Sequence, residues 1–162
     1  AKRLATGFTF ALKTPNTPGD IQLATLIKDQ LSKVGITVTI QTEEFGHILS
    51  ETEKHTFDAA LVGWSGRIDP DGNMFGHFHT GGGFNDGLYS NPQVDTLLEQ
   101  ARGETDQSKR KTLYDQAQTI LVQDVGYVFI EHGPAQQITS AKVHNFPLIA
   151  DAIDRFAEVW KG

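Results

Sequence analysis

The chain has 162 residues, 38% of them hydrophobic and 21% charged, with a formal net charge of −6. That size and balance suit one globular domain with its own core. The acidic total and the lack of any Lys/Arg-rich window exclude a nucleic-acid footprint. No apolar run approaches the roughly 20 residues of a bilayer span, and the absence of cysteine removes disulfides, thiolate nucleophiles and Cys-based zinc sites. Ala1-Lys2-Arg3 leads into a short alternating segment rather than the apolar stretch of a secretion signal, which a mature or trimmed chain would lack in any case.

In chain order, Phe8, Phe10 and Leu12 alternate with Thr9, Ala11 and Lys13, which predicts a strand over 8–13. Thr17-Pro18-Gly19-Asp20 has the form of a helix start, with Thr17 as cap, Pro18 at the first helical position and Asp20 at the positive end of the dipole. Ala24, Ile27, Leu31 and Val34 share one helical face, and Gly35 suits the left-handed residue that ends such a helix. Ile36, Val38 and Ile40 alternate as a second strand. A shorter helix is expected over 44–54, with Phe45, Ile48 and Leu49 on one side, and a third strand over 57–63. This strand–helix order predicts βαβ crossovers over a mainly parallel sheet. Residues 65–91 are Gly-rich with little periodicity and predict a long loop. Asn91 or Ser90 and Pro92 open another helix with Val94, Leu97, Leu98 and Ala101 inward. A further helix is expected over 106–124 with Leu113, Ala117, Ile120 and Leu121 in register. Tyr127–Ile130 and Gln136–Ser140 predict short strands, and Ile153, Phe156, Ala157 and Trp160 have helical spacing.

The segment from Phe57 to Asn73 carries the most information. An apolar run stops at Gly63-Trp64 and gives way to a loop with Arg67, Asp69, Asp71 and Asn73. Open α/β sheets place their ligands at the carboxyl ends of strands, and Trp64 there offers an apolar wall beside polar anchors.

The order of several short segments resembles a known family. These are Leu31-Ser32-Lys33-Val34-Gly35-Ile36-Thr37-Val38, Glu43-Glu44-Phe45, Phe57-Asp58, Gly63-Trp64, Asp69-Pro70-Asp71-Gly72-Asn73 and Tyr89-Ser90-Asn91-Pro92-Gln93-Val94-Asp95. Arg110, Leu113, Tyr114, Ala117, Gln118 and Ile120-Leu121 complete the set. Together they resemble the carboxyl-terminal part of the family 5 extracellular solute-binding proteins, the peptide, dipeptide and nickel receptors of bacterial ABC importers. The resemblance implies an α/β, periplasmic-binding-protein-like lobe with a mixed, mainly parallel sheet flanked by helices. It implies that residues 1–162 are one lobe of a two-lobed protein, with about 140–162 a tail returning toward an absent N-terminal lobe. The implied function is capture of peptides or peptide-like small solutes for ABC permease subunits, without catalysis or cofactor. The implied location is the periplasm, or the outer face of a Gram-positive cell as an anchored lipoprotein. The implied ligand-binding positions are Phe45, Trp64, Ser65, Gly66, Arg67, Asp69 and Asp71. The family's peptide receptors often carry Asp three residues after this Trp, where it pairs with the ligand's amino group. Arg67 stands there instead, and is expected either to bind an anionic ligand group or to be neutralised by Asp69 or Asp71, while Asp69 or Asp71 remains able to take an amine.

Other chemistries match less well. An EF-hand beginning at Asp69 needs Gly and Glu where Met74 and Thr80 stand. The paired Asp residues have no evident burial difference to split their pKa values for acid–base work. A nucleophile elbow around Ser65 needs glycine where Arg67 stands. Gly81-Gly82-Gly83 lacks the Lys-Ser/Thr of a phosphate loop. His77 and His79, with Asp69 or Asp71, leave a metal-assisted hydrolase as the alternative reading.

Overall fold

A computed structural model describes residues 7–131, 133, 136–149 and 153–162. The chain divides into two compact units, residues 1–63 and 64–162.

The first unit holds strand β1 (Thr9–Pro15), helix α1 (Pro18–Ser32), strand β2 (Thr37–Glu43), helix α2 (Phe45–Thr52) and strand β3 (Ala59–Ala60). The strands form one parallel sheet in the order β2-β1-β3. Central β1 is covered from both sides, so Leu12, Lys13 and Thr14 are buried in succession. Helix α1 starts as its sequence predicts. The Thr17 side chain accepts the Asp20 N–H. The helix ends in a Schellman turn, in which Ile36 donates to Leu31 O and Gly35 to Ser32 O. Gly35 has φ 89°, where a side chain would be strained. Leu12, Ala24 and Val38 form the core, with Phe10, Ile27, Leu31, Ile36 and Ile40 packed on it.

The third strand is shorter than the 57–63 expected. Lys13 pairs with Ala60, and the Leu61 N–H still reaches Lys13 O. The register would next require an N–H from Pro15, which has none, so the ladder stops.

The second unit contains α3 (Pro70–Phe78), α4 (Pro92–Gly103), α5 (Gln107–Asp124), β4 (Val143–His144) and β5 (Trp160–Lys161). Its core joins Phe78 with Val94, Leu97, Leu98 and Ala101 of α4 and Tyr114, Ala117 and Leu121 of α5. All four residues expected inward on α4 are buried, and Asn91 caps that helix by accepting the Gln93 N–H. Truncating Leu98, which is fully buried, is a cavity-forming change of about 2–5 kcal/mol.

Helix α3 corrects the long loop expected over 65–91. Asp69 caps it, Pro70 takes its first position, and Met74, Phe75 and Phe78 turn toward the core. Gly72 and Gly76 mask this pattern, because interior glycine lowers helix propensity. Burying Phe78 and packing Met74 and Phe75 against the core outweighs that cost.

Three further expectations fail. Residues 127–131 and 136–140 form no strand. Val128 and Phe129 are 74% and 69% exposed, and neither segment has a ladder partner among the described residues. The apolar spacing of 153–160 is not helical either. Trp160 and Lys161 pair antiparallel with His144 and Val143, and the His144 and Trp160 rings stack at 4.1 Å.

Candidate functional site

The corner at 64–73 is organised around one amide. Asn73 lies in the first turns of α3 and directs its side chain back at the incoming loop. Its Oδ1 accepts the Arg67 backbone N–H at 2.6 Å and the Trp64 indole N–H at 3.2 Å. Its Nδ2 donates to the Arg67 carbonyl at 2.6 Å and the Asp69 carbonyl at 3.3 Å. One short side chain thus anchors Trp64, Arg67 and Asp69.

Trp64 is 42% exposed. One part of its ring packs edge-on against His77 at 4.5 Å and tilts against Phe84 at 5.1 Å. The Arg67 guanidinium lies over the ring, 4.6 Å from its centroid. Such a contact contributes about 0.5–1 kcal/mol at an exposed site. Nη1 of Arg67 donates to Ser65 O, to Ser65 Oγ at 3.1 Å and to Gly66 O at 3.3 Å. These partners are uncharged, so they orient the guanidinium without neutralising it.

Both aspartates serve other arginines. Asp69 accepts the Asp71 N–H as helix cap and receives both terminal nitrogens of Arg110 at 2.8 Å each. Arg110 and the capping N–H hold the Asp69 carboxyl down at about 2. Asp71 receives Nε and Nη2 of Arg102 at 2.9 and 2.8 Å, and Arg102 lies 3.4 Å above the Phe75 ring. The expectation that Asp69 or Asp71 neutralises Arg67 is therefore corrected. The two aspartates fasten α3 to the end of α4 and the start of α5.

His77 and His79 do not converge. His77 sits among the rings of Trp64, Phe78, Phe84 and Tyr127, and burial lowers its pKa. His79 stacks on Phe75 and meets Glu99 at 3.0 Å, which raises its pKa. Among the described residues the group with metal-ligand convergence is Glu43, His47 and Glu51 in the first unit. Lys13 already places its ammonium there, 2.8 Å from Glu43 and 2.7 Å from Glu51. The metal-assisted hydrolase alternative therefore lacks its ligand set.

Phe45 belongs to the first unit. It opens α2 and is 40% exposed. In the second unit the structure brings together Trp64, Ser65, Gly66, Arg67, Asp69 and Asp71, and the corner is exposed rather than sealed. Sequence reasoning gave no role to Asn73, Arg102 or Arg110. The one available signal was the capped helix start at Asp69-Pro70, which puts Asn73 one turn inside.

A parallel α/β sheet unit followed by a helical unit with an open Trp–Arg corner fits the solute-binding class. Residues 2–86 match the model of "Bacterial extracellular solute-binding proteins, family 5 Middle", and the chain belongs to that family. It is 32% identical to di/tripeptide-binding protein 1 of Pseudomonas aeruginosa strain UCBPP-PA14, across 93% of this chain and 29% of that protein. It is 31% identical to the dipeptide-binding protein of P. aeruginosa PAO1, across 85% and 26%. The crystal structure of a dipeptide-binding protein from Pseudoalteromonas sp. SM9913 in complex with Met-Leu superposes with a TM-score of 0.81 at 27% identity, across 97% of this chain and 33% of that one. The chain thus spans about three-tenths of the length of the relatives it matches. The family is one of solute-binding proteins, not of enzymes.

Proposed function

We propose that these residues form part of a longer, two-lobed solute-binding protein that captures peptides or peptide-like molecules and hands them to ABC permease subunits. The observation that carries this reading is the open corner in which Asn73 fixes an exposed Trp64 under a charged guanidinium. An aromatic face beside oriented polar groups is the usual make-up of a small-molecule site. Trp64 would wall the solute, while Ser65 and the Gly66 backbone would hydrogen-bond it. Asp69 and Asp71 would act by holding the corner in place. Phe45, exposed at the start of α2, is proposed separately as an apolar contact for the solute. The relatives' names support a peptide-like class, and the family's description supports action outside the cytoplasm. The location proposed is the periplasm, or an anchored lipoprotein on a Gram-positive cell.

Capture would proceed by hinge closure of two lobes, the solute favouring the closed form. Residues 140–162 would return toward the other lobe. The test is calorimetric titration of the complete protein and of the 162-residue piece with a dipeptide panel. Binding by the complete protein and weak or undetectable binding by the piece are expected, because the piece lacks the opposing wall. Failure of the complete protein to bind any member, or submicromolar affinity of the piece, would contradict the reading.

A further inference from the structure

We infer that the Trp64–Arg67 corner receives an anionic oxygen group of the solute, a carboxylate or a phosphate, and not an ammonium group. The inference rests on the solute-capture reading and names the chemistry that reading leaves open.

Three observations within the second unit carry it. First, the two carboxylates nearest in sequence, Asp69 and Asp71, are each gripped through both oxygens by Arg110 and Arg102. A bidentate arginine pair takes a lone pair on each oxygen and neutralises the carboxylate, so an incoming ammonium would have to share that charge with a guanidinium, and releasing one would leave a guanidinium without its counter-charge. Second, Arg67 is fixed at both levels. Asn73 holds its backbone N–H and carbonyl, while Trp64 supports its guanidinium from below. Third, among the described residues the hydrogen bonds of that guanidinium run from a single nitrogen, Nη1, to the oxygens of Ser65 and Gly66. The fork's remaining N–H groups match the geometry of a planar carboxylate or a phosphate. Ser65 is exposed next to it and adds a hydroxyl donor. An ammonium at the same place would meet the like charge of the guanidinium.

The test titrates the complete protein with Gly-Leu, Gly-Leu amide, N-acetyl-Gly-Leu and Gly-phosphoserine amide. Amidation is expected to weaken binding about tenfold or more, the effect of losing one charge-assisted contact, while N-acetylation changes it less than about threefold. Recovery of affinity with the phosphoserine amide would assign phosphate as well; no recovery would assign carboxylate alone. Arg67→Ala should bring Gly-Leu and its amide within about threefold of each other, and Arg67→Lys should keep part of the preference, because charge remains while the fork is lost. Greater loss from N-acetylation than from amidation in the unmodified protein overturns the inference, and that comparison stands even if Arg67→Ala does not fold. An amide penalty untouched in a folded Arg67→Ala also overturns it. In both cases solute capture survives. Failure of every probe to bind the unmodified protein removes both readings.

Discussion

Asp69 and Arg110, 41 residues apart in sequence, meet through two hydrogen bonds of 2.8 Å each. The same carboxylate starts α3 by accepting the Asp71 N–H. One side chain therefore both nucleates the helix beneath the corner and ties it to α5. Asp69→Ala removes both functions and should cost about 1–2 kcal/mol in chemical denaturation. Asp69→Asn should cost less, because asparagine caps a helix about equally well and loses only the ion pair. The pH response follows from the lowered carboxyl, near 2 in the folded chain against 3.8 as its ordinary value. A depressed carboxyl stabilises the fold above its unfolded value, and that contribution is lost as pH falls through the folded one. The acid sensitivity of the second unit between about pH 4 and 2 should thus be shallower in Asp69→Asn. Equal slopes would show that the pair contributes nothing; at an exposed site much of its Coulomb gain is screened.

Asn73 is the amide on which Trp64 and Arg67 depend. Asn73→Ala removes all four of its hydrogen bonds, yet the freed groups remain within reach of water, so the expected loss of stability is modest, about 1–2 kcal/mol. The larger effect should be on order. The chain has two tryptophans, so a Trp160→Phe background isolates Trp64. Acrylamide quenching of Trp64 should then rise in Asn73→Ala. Asn73→Asp keeps the acceptor for the indole and Arg67 N–H groups while losing both Nδ2 bonds, and should fall between the two. Quenching unchanged by Asn73→Ala would mean that the contacts with His77, Phe84 and Arg67 hold the ring without Asn73.

Much of this was legible beforehand. Thr17-Pro18 and Gly35 mark both ends of α1, and Asn91-Pro92 with Val94, Leu97, Leu98 and Ala101 define α4, because caps and helical periodicity are local signals. The strand elements at the carboxyl end were not legible in the same way. Tyr127–Ile130 has strand composition, but a strand exists only through a partner, which no local pattern supplies. Trp160 shows the converse: its spacing from Phe156 suits a helix, while its pairing with His144 makes it a strand. At the site, Trp64 and Arg67 stand out by residue type. The arginines that occupy Asp69 and Asp71 do not, since a helix-surface arginine 31 or 41 residues away has the sequence signature of any solvated face.

His77 and His79 are two residues apart and shifted in opposite directions. Burial lowers His77, while Glu99 raises His79. In proton NMR, His79 should therefore titrate above 6.5 and His77 below it. His79 contributes stability that is present below its unfolded value and lost as pH rises through the folded one. His77 resists protonation when folded, so its contribution is lost as pH falls through 6.5. The two slopes oppose each other, and a melting curve alone would conceal them. Glu99→Gln should lower the His79 value and leave His77 unmoved. Two coincident titrations would contradict the placement of His77 within the ring cluster.

Gly72 lies inside α3, where glycine-to-alanine substitution ordinarily gains about 1 kcal/mol. Here a Cβ would stand 2.9 Å from Arg67 Cβ and 3.0 Å from its Cγ. Neither atom is the free end of the side chain, so the Arg67 stem or the helix must shift. Gly72→Ala should therefore lower the melting temperature instead of raising it. In Arg67→Ala the Cγ contact is gone but the Cβ contact remains, so the cost should fall only in part. In Arg67→Gly both are gone, and the helix-propensity gain should reappear. The measurement is a double-mutant cycle on thermal stability, in which a positive coupling between positions 67 and 72 is expected. Additive effects would mean that Arg67 moves aside at no cost and that its position over Trp64 is not enforced from below. Coupling would show that Gly72 is required by the arginine's stem, which gives a glycine inside a helix a function its own propensity opposes.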